Sequence, residues 1–485
     1  MPDEIYDLAI IGGGINGASI ARAAAVAGHS VLLVEQGDLG QATSSASTKL
    51  IHGGLRYLEH FAFGLVRESL RERDIMLRAA PHIARPLEFR LPHDGRLRPW
   101  WLVRLGLRIY DGLAGRRSLP RSRAITLAEA ALKIPSGRGF SYWDGWVDDS
   151  RLVVLNAIDA AEAGASICTR TRCVGARRSG GGWSVDLHND GGQTTRRARI
   201  LINAAGPWVD QVLRDRIGFT PRHPIRLVRG SHIILARRLP QEHAYLLQQE
   251  DGRIVFIIPY QGDLTLVGTT DVAVGSPDES AISQGEADYL LAAVNRYLRD
   301  PATPEDIVGH FAGIRALADS GKGRPSAANR GYDLVLESGL PPLLTVRGGK
   351  ITTARHLAET VLDTLGLSPG AGTRARALPG GDFADFDAFL GGLRARWPFL
   401  PAATAERLAR AYGTRAARML AGVTSSADLG EDFGHGLTAC EIDYLVAAEW
   451  ARNSEDILWR RTKLGLRLSP LQVSRVQAYL ARGRA

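Results

Sequence analysis

"IYDLAIIGGGINGASIARAAAVAG", residues 5–28, decides the fold. The apolar run over 5–11 ends in glycine and reads as a buried strand. Gly12, Gly14 and Gly17 fit G-x-G-x-x-G, helical spacing continues through Ile20 and Ala24, and Gly28 closes the helix as its C-cap. A second strand, "SVLLVE" over 30–35, ends on Glu35. Gly12 allows the tight turn, Gly14 lets the backbone approach a pyrophosphate, and Gly17 lets helix and strand pack closely. The helix N-terminus stabilises negative charge, and a carboxylate at Glu35 suits the hydroxyls of a ribose. Strand, turn, helix, strand and terminal acid together predict a dinucleotide site rather than a chance glycine-rich turn.

The next stretch, "TSSASTKLIHGGLRYLEH" over 43–60, bears on which dinucleotide. Nicotinamide enzymes of this fold more often continue with further strand–helix repeats. Here small hydroxyls and a Gly-Gly pair follow at once, as they would to let the chain approach a flat ring closely. FAD is the better expectation.

Two later segments read as parts of the same domain. "RARILINAAGPWVDQVL" (197–213) is a buried strand, a glycine turn and a helix. "PLLTVRGGKITTARHLAETVLDTLG" (342–366) is a strand to Val346, a turn at Gly348-Gly349 and a helix from about Ile351 to Leu365. Free N–H groups at that helix start favour negative charge. Between these segments, "RLVRGSHIILA" (226–236) and "RIVFIIPYQGDLTLVGTTD" (253–271) predict an antiparallel sheet, with a hairpin at Gln261-Gly262-Asp263. From about 383 the pattern is helical, as in "AERLARAYGTRAARMLAGV" (405–423). The expected domains are a discontinuous FAD-binding domain (1–80, 145–215 and 340–368), a substrate or cap domain (81–144 and 216–339) and a C-terminal helical domain (380–485).

At 485 residues, with 45% hydrophobic and 23% charged content, the chain suits a folded soluble protein of several domains. Cys168, Cys173 and Cys440 cannot build a disulfide framework, and no metal-ligand cluster accompanies them, so a reducing cytoplasmic compartment is expected. No signal peptide or membrane-length apolar span is apparent.

These residues resemble the FAD-dependent, membrane-associated glycerol-3-phosphate dehydrogenases. The resemblance covers nearly the whole chain, through "IGGGINGA", "ATSSASTKLIHGGLRYLEH", "WVDDSRLV", "GSHI", "RIVFIIPY", "GTTD", "RGGKITT" and "SEDILWRRTKLGL". It implies an α/β Rossmann-like flavin domain of the glutathione-reductase/amino-acid-oxidase type, an antiparallel substrate domain and a C-terminal helical domain. The FAD contacts it implies begin with Gly12, Gly14, Ile15, Asn16, Gly17, Glu35 and Gln36. They continue with Thr43, Ser44, Ser45, Ser47, Lys49, Leu50, His52, Gly53 and Gly54. Later come Cys173, Val174, Ala205, Gly206 and Trp208, then Gly348, Gly349, Lys350, Ile351 and Thr352.

The implied reaction is oxidation of sn-glycerol 3-phosphate to dihydroxyacetone phosphate, with the C2 hydride passing to the flavin. Arg56, Arg315, Arg330 and Lys350 are the implied phosphate-binding cations, and Tyr57 adds a neutral donor; arginine suits a phosphate because its planar fork donates two parallel hydrogen bonds. His232 is the expected base, and His232, Arg315 and Lys350 form the catalytic set. Where the family commonly reads Arg-Pro-Leu, this chain has Arg315-Ala316-Leu317, which would loosen a turn but keep the guanidinium.

From Arg85 to Arg123 there are ten arginines against three acids, so most of the formal charge of +9 is concentrated there. Within it, Trp100, Trp101, Leu105 and Ile109 interleave with Arg98, Arg104, Arg108, Arg116 and Arg117, a composition suited to an anionic membrane surface. No nucleic-acid-reading module accompanies the patch. The implied partners are membrane quinone and anionic lipid at the inner face of the cytoplasmic membrane, and a homodimer is an open expectation. The rivals are a glycerol-3-phosphate oxidase using O₂, an amine oxidase of the same fold, and a non-catalytic dinucleotide-binding protein.

Overall fold

The first strand, Ile5–Ile11, sits at the centre of a parallel sheet because its inner residues are apolar on both faces. In a computed structural model describing residues 5–94, 97–115, 118–127, 131–133, 137–221, 224–237, 242–318 and 331–483, this strand pairs with Val31–Val34 on one side and Gly192–Asn203 on the other. Ser166–Cys168 and Leu343–Gly348 extend the parallel sheet outward. The hairpin strands Arg172–Ser179 and Gly182–Asn189 join it through Gly192–Asn203. Helix Ile15–Val26 is nearly all small or apolar and packs between Asp149–Glu162 and Ala354–Thr364.

The turn after the first strand behaves as its glycines demand. Gly12 has φ +112°, and a Cβ there would lie 2.5 Å from the Ala204 carbonyl oxygen. Gly28 follows the helix's final residues at φ +90°, its N–H donating to Ala25 O at 2.9 Å; the cap residue itself is Ala27.

The second sheet has ten strands and is mainly antiparallel. Ile225–Leu235 lies between Ile307–Ala318 and Leu264–Gly268, and the expected hairpin joins Ile254–Tyr260 to Leu264–Gly268. Three segments differ from the sequence expectation: Gly145, Trp146 and Val147, assigned to the flavin domain, complete strand Arg138–Val147 of the second sheet, and two others join the opposite sheet. Tyr332–Glu337, assigned to the cap domain, pairs antiparallel with Leu343–Gly348 in the flavin-domain sheet. Leu50–Ile51, assigned to the flavin domain, pairs with Arg138–Val147 in the second sheet. Nothing in the composition of such short segments marks which sheet they join.

The C-terminal domain packs Phe386–Arg396, Ala402–Tyr412, Ala439–Glu449 and Pro470–Arg482 around Leu408, Tyr412, Phe433, Ile442 and Leu445. The helical run expected over 405–423 breaks at Gly413, whose backbone rests against Gly380; a Cβ would lie 1.8 Å from the Gly380 oxygen. Buried ion pairs fasten this domain to the flavin domain. Asp38 accepts from Arg460 at 2.6 Å and Arg461 at 2.8 Å, and Arg151 pairs with Glu449.

Candidate active site

The C-terminal ends of the parallel strands open into a cavity of about 1440 Å³, bounded by both sheets and the C-terminal domain. Gly12, Gly14, Ile15 and Asn16 reach it from the first turn, and Glu35 and Gln36 from the end of the second strand. Thr43, Ser44, Ser45, Ser47, Lys49, Leu50, His52 and Gly54 form one wall. Cys173, Ala205, Gly206 and Trp208 line it, as do Gly348, Gly349, Lys350, Ile351 and Thr352.

Three expected contacts do not reach the wall. Gly17 faces inward, where a Cβ would lie 1.9 Å from the Gly12 oxygen, so it serves helix–strand packing instead. Val174 follows Cys173 at a bulge, where the register with Gly182–Asn189 shifts, and it does not line the cavity. Gly53 lies behind the wall, donating its N–H to the Tyr110 hydroxyl at 2.8 Å.

The local bonding suits FAD. Glu35 accepts from Gly13 N–H at 2.6 Å and Gly37 N–H at 2.8 Å; burial pushes its carboxyl up against the opposing pull of these bonds. Ser44 Oγ accepts the Ile15 N–H at 3.0 Å. Asn16 Nδ2 donates to Gly348 O at 2.9 Å, joining the first glycine turn to the last. Its Oδ1 is buried without a hydrogen-bond partner among the described residues. A helix N-terminus, an acid one strand later, a row of hydroxyls and a bare Gly-Gly backbone thus line one continuous cradle, fit for a pyrophosphate, a ribose and a flat ring in turn.

Beyond Gly348-Gly349 the cavity becomes cationic. Arg56, Tyr57, Arg315 and Lys350 all line it. The Lys350 ammonium lies 3.9 Å from the Tyr57 ring centroid. Arg315 pairs with Asp271 and donates to Thr269 Oγ1 at 3.1 Å, which aims its guanidinium. Arg315-Ala316-Leu317 is continuous strand, with Ala316 opposite Leu227, so no turn is there to be loosened. Arg330 lies outside the described residues.

His232 does not line the cavity. It is 1% exposed, stacked on Phe311, with Nε2 2.9 Å from Thr48 Oγ1. Thr48, not singled out from the sequence, is the residue on the wall. Burial, then Arg315 and Lys49, hold the His232 imidazole well below its usual pKa. Strand alternation carries His232 into the layer between the sheet and the 43–49 loop, a placement no short motif announces. Sequence reasoning also missed Glu455, Trp459, Arg460, Lys463 and Leu466, by which the C-terminal domain completes the wall. "SEDILWRRTKLGL" marked that segment without giving it a role.

Residues 7–355 match the FAD dependent oxidoreductase family, and residues 371–480 match the C-terminal domain of alpha-glycerophosphate oxidase. The chain is 52% identical over 488 residues to the glycerol-3-phosphate dehydrogenase of Pseudomonas aeruginosa, covering 98% of this chain and 95% of that one. It is 48% identical to the D-erythritol 1-phosphate dehydrogenase of Brucella abortus, covering 96% of each. Among solved structures, the glycerol-3-phosphate dehydrogenase of Bacillus halodurans complexed with FAD superposes with a TM-score of 0.75 at 26% identity, over 99% of this chain and 95% of that one. With its cradle, its two-sheet architecture and its helical C-terminal domain, the chain belongs to the FAD-dependent glycerol-3-phosphate dehydrogenase family.

Proposed function

We propose that the protein oxidises sn-glycerol 3-phosphate at C2 to dihydroxyacetone phosphate. The observation that carries this reading is the meeting of Arg56, Tyr57, Arg315 and Lys350 in one cavity with the FAD cradle. FAD, when bound there, supplies the two-electron acceptor. Arg56, Arg315 and Lys350 anchor the phosphate dianion, Asp271 and Thr269 fix the Arg315 fork, and the Tyr57 hydroxyl adds a neutral donor. Nearby positive charge also stabilises the developing alkoxide. The Thr48 hydroxyl receives the alcohol proton and passes it to His232 Nε2 behind it. A dianion against Arg315 offsets one cation that keeps the imidazole neutral, and so raises its proton affinity when substrate is bound.

The test is anaerobic bleaching of the yellow holoprotein by glycerol 3-phosphate but not by glycerol. Thr48→Val and His232→Ala should keep their FAD and slow bleaching ~10²-fold or more; normal stopped-flow reduction in both would remove the relay. A longer polyol phosphate is a second reading, favoured by the near-equal identity to the Brucella relative. Erythritol 1-phosphate in the same assay decides between them.

The electrons are assigned to a membrane quinone, with the protein docked peripherally on anionic lipid. What supports this is helix Trp100–Leu113, which buries Val103, Leu107 and Tyr110 and exposes Trp101, Leu102, Leu105 and Ile109, with Phe61 and Phe63 exposed on the adjoining segments. Its basic character is narrower than the sequence suggests: Arg98 pairs with Glu59, Arg104 bonds Ser122, and Arg116 and Arg117 lie outside the described residues. Arg108 is exposed on the helix. No helix among the described residues is long and apolar enough to cross a membrane. Trp101→Glu should abolish low-salt sedimentation with anionic liposomes while leaving bleaching by substrate unchanged; undiminished binding would move the docking face elsewhere. The homodimer stays part of this proposal, to be read by light scattering.

A further inference from the structure

The inner face of helix Trp100–Leu113 carries one feature that packing alone does not need. Tyr110, 3% exposed, donates its hydroxyl to both carboxylate oxygens of Asp144, at 2.9 and 2.8 Å. The same oxygen accepts the Gly53 N–H at 2.8 Å. Asp144, 2% exposed on strand Arg138–Val147, also accepts from Arg73 Nη1 at 2.9 Å, and Arg73 is held in turn by Asp74 at 2.8 Å. Burial, then Asp144, raises the Tyr110 phenol well above its usual range, so the hydroxyl keeps its proton for the carboxylate and a lone pair for Gly53. A hydroxyl that donates to a carboxylate is a stronger acceptor for a third group. The fit at Gly53 is close, since a Cβ there would lie 2.6 Å from the Tyr110 oxygen and 2.6 Å from Leu70 Cδ2.

Gly53 stands between His52 and Gly54, both on the cavity wall, and two residues ahead of the turn Leu55–His60 that presents Arg56 and Tyr57. The bond from Tyr110 therefore pins the backbone from which the cofactor wall and the substrate cation both extend. We propose that Tyr110 is a positioning residue for the reaction, acting through Gly53 to set the FAD-facing backbone and the Arg56–Tyr57 turn. The FAD part rests on the family alone; the Arg56 part rests on the proposed substrate. Removing the hydroxyl leaves a buried N–H and a buried carboxylate each short of a partner, and the loop relaxes away from the cavity to regain them.

The experiment compares purified holoproteins of wild type, Tyr110→Phe, Asp144→Asn and Leu107→Ala. Leu107 is fully buried on the same helix, so its truncation weakens packing without touching the hydrogen bonds. Tyr110→Phe should weaken FAD binding about tenfold, shift the visible absorption band and the dye-measured reduction potential, and raise the substrate KM several-fold. Asp144→Asn should shift all four in the same direction. Leu107→Ala should lower Tm at least as much as Tyr110→Phe, yet leave spectrum, potential and KM as in wild type. Wild-type spectrum, potential and FAD affinity in Tyr110→Phe would overturn the proposal, as would equal shifts in Leu107→Ala. Should Tyr110→Phe not fold, Asp144→Asn decides by the same criteria. Spectrum and potential are read without substrate, so a wrong substrate would show as absent bleaching in wild type while the comparison among variants still stood.

Discussion

At the scale of single residues, charge sign was easier to read than side-chain direction. Arg56, Arg315 and Lys350 line one cavity; Arg56 and Lys350 reach it from turns at the starts of helical segments, and Arg315 reaches it from within strand Ile307–Ala318. His232 does not line it: it lies in mid-strand, and which face it takes depends on the register with Phe311 and Gly268. Lys350 gives the sharper test of the anchoring scheme. Its ammonium sits at the start of the helical segment Ile351–Thr353 and against the Tyr57 ring. Lys350→Ala should therefore raise KM for the phosphorylated substrate ~10- to 100-fold, the worth of a charge-assisted hydrogen bond, with a smaller fall in kcat. Steady-state kinetics with a soluble acceptor dye measure the split; a pure kcat loss would move Lys350 from anchoring the phosphate to the reacting carbon.

At the scale of elements, the glycine pattern was legible because it answers two steric demands at once. Gly12 must turn at positive φ beside Ala204, and Gly17 must let the helix lie on the Gly12 carbonyl. Gly17→Ala puts a methyl group where no atom can go and forces helix Ile15–Val26 off the strand. Overpacking of this kind costs ~1–3 kcal/mol, and here it also moves the helix N-terminus that lines the proposed FAD cradle. The expected outcome is protein that folds with lowered Tm and is largely colourless after gel filtration; full FAD retention would show that the helix can shift without disturbing the cradle. Segments such as Tyr332–Glu337 were misassigned for the opposite reason. A hairpin strand's partner is fixed by the chain that precedes Leu343–Gly348, and nothing in the hexapeptide distinguishes one antiparallel edge from another.

At the scale of the whole molecule, the helical C-terminal domain was visible as periodicity, but its docking was not, because the docking rests on pairs far apart in sequence. Asp38 with Arg460 and Arg461, and Arg151 with Glu449, are buried ion pairs bridging several hundred residues. The same junction encloses His82, 1% exposed, whose ring faces Phe383 edge-on and whose two nitrogens lack hydrogen-bond partners among the described residues. Burial first, then Arg151 and Arg410, lowers its pKa to about 3. In the unfolded chain a histidine titrates near ~6.5, so between these values the unfolded state binds a proton that the folded state refuses. The contribution of neutral His82 is thus complete above about pH 6.5 and declines, by at most about 1.4 kcal/mol per pH unit, as pH falls towards 3. Carboxylates held low, such as Asp38 and Asp148, act in a lower window because their unfolded pKa values are near ~4. Thermal unfolding between pH 7 and 4.5 should therefore show Tm falling with acid in the wild type and a shallower slope in His82→Phe, which keeps an aromatic ring but cannot titrate. Parallel slopes in the two proteins would mean that His82 gains a proton in place, through water reaching the junction, and that the seam between the domains is open to solvent.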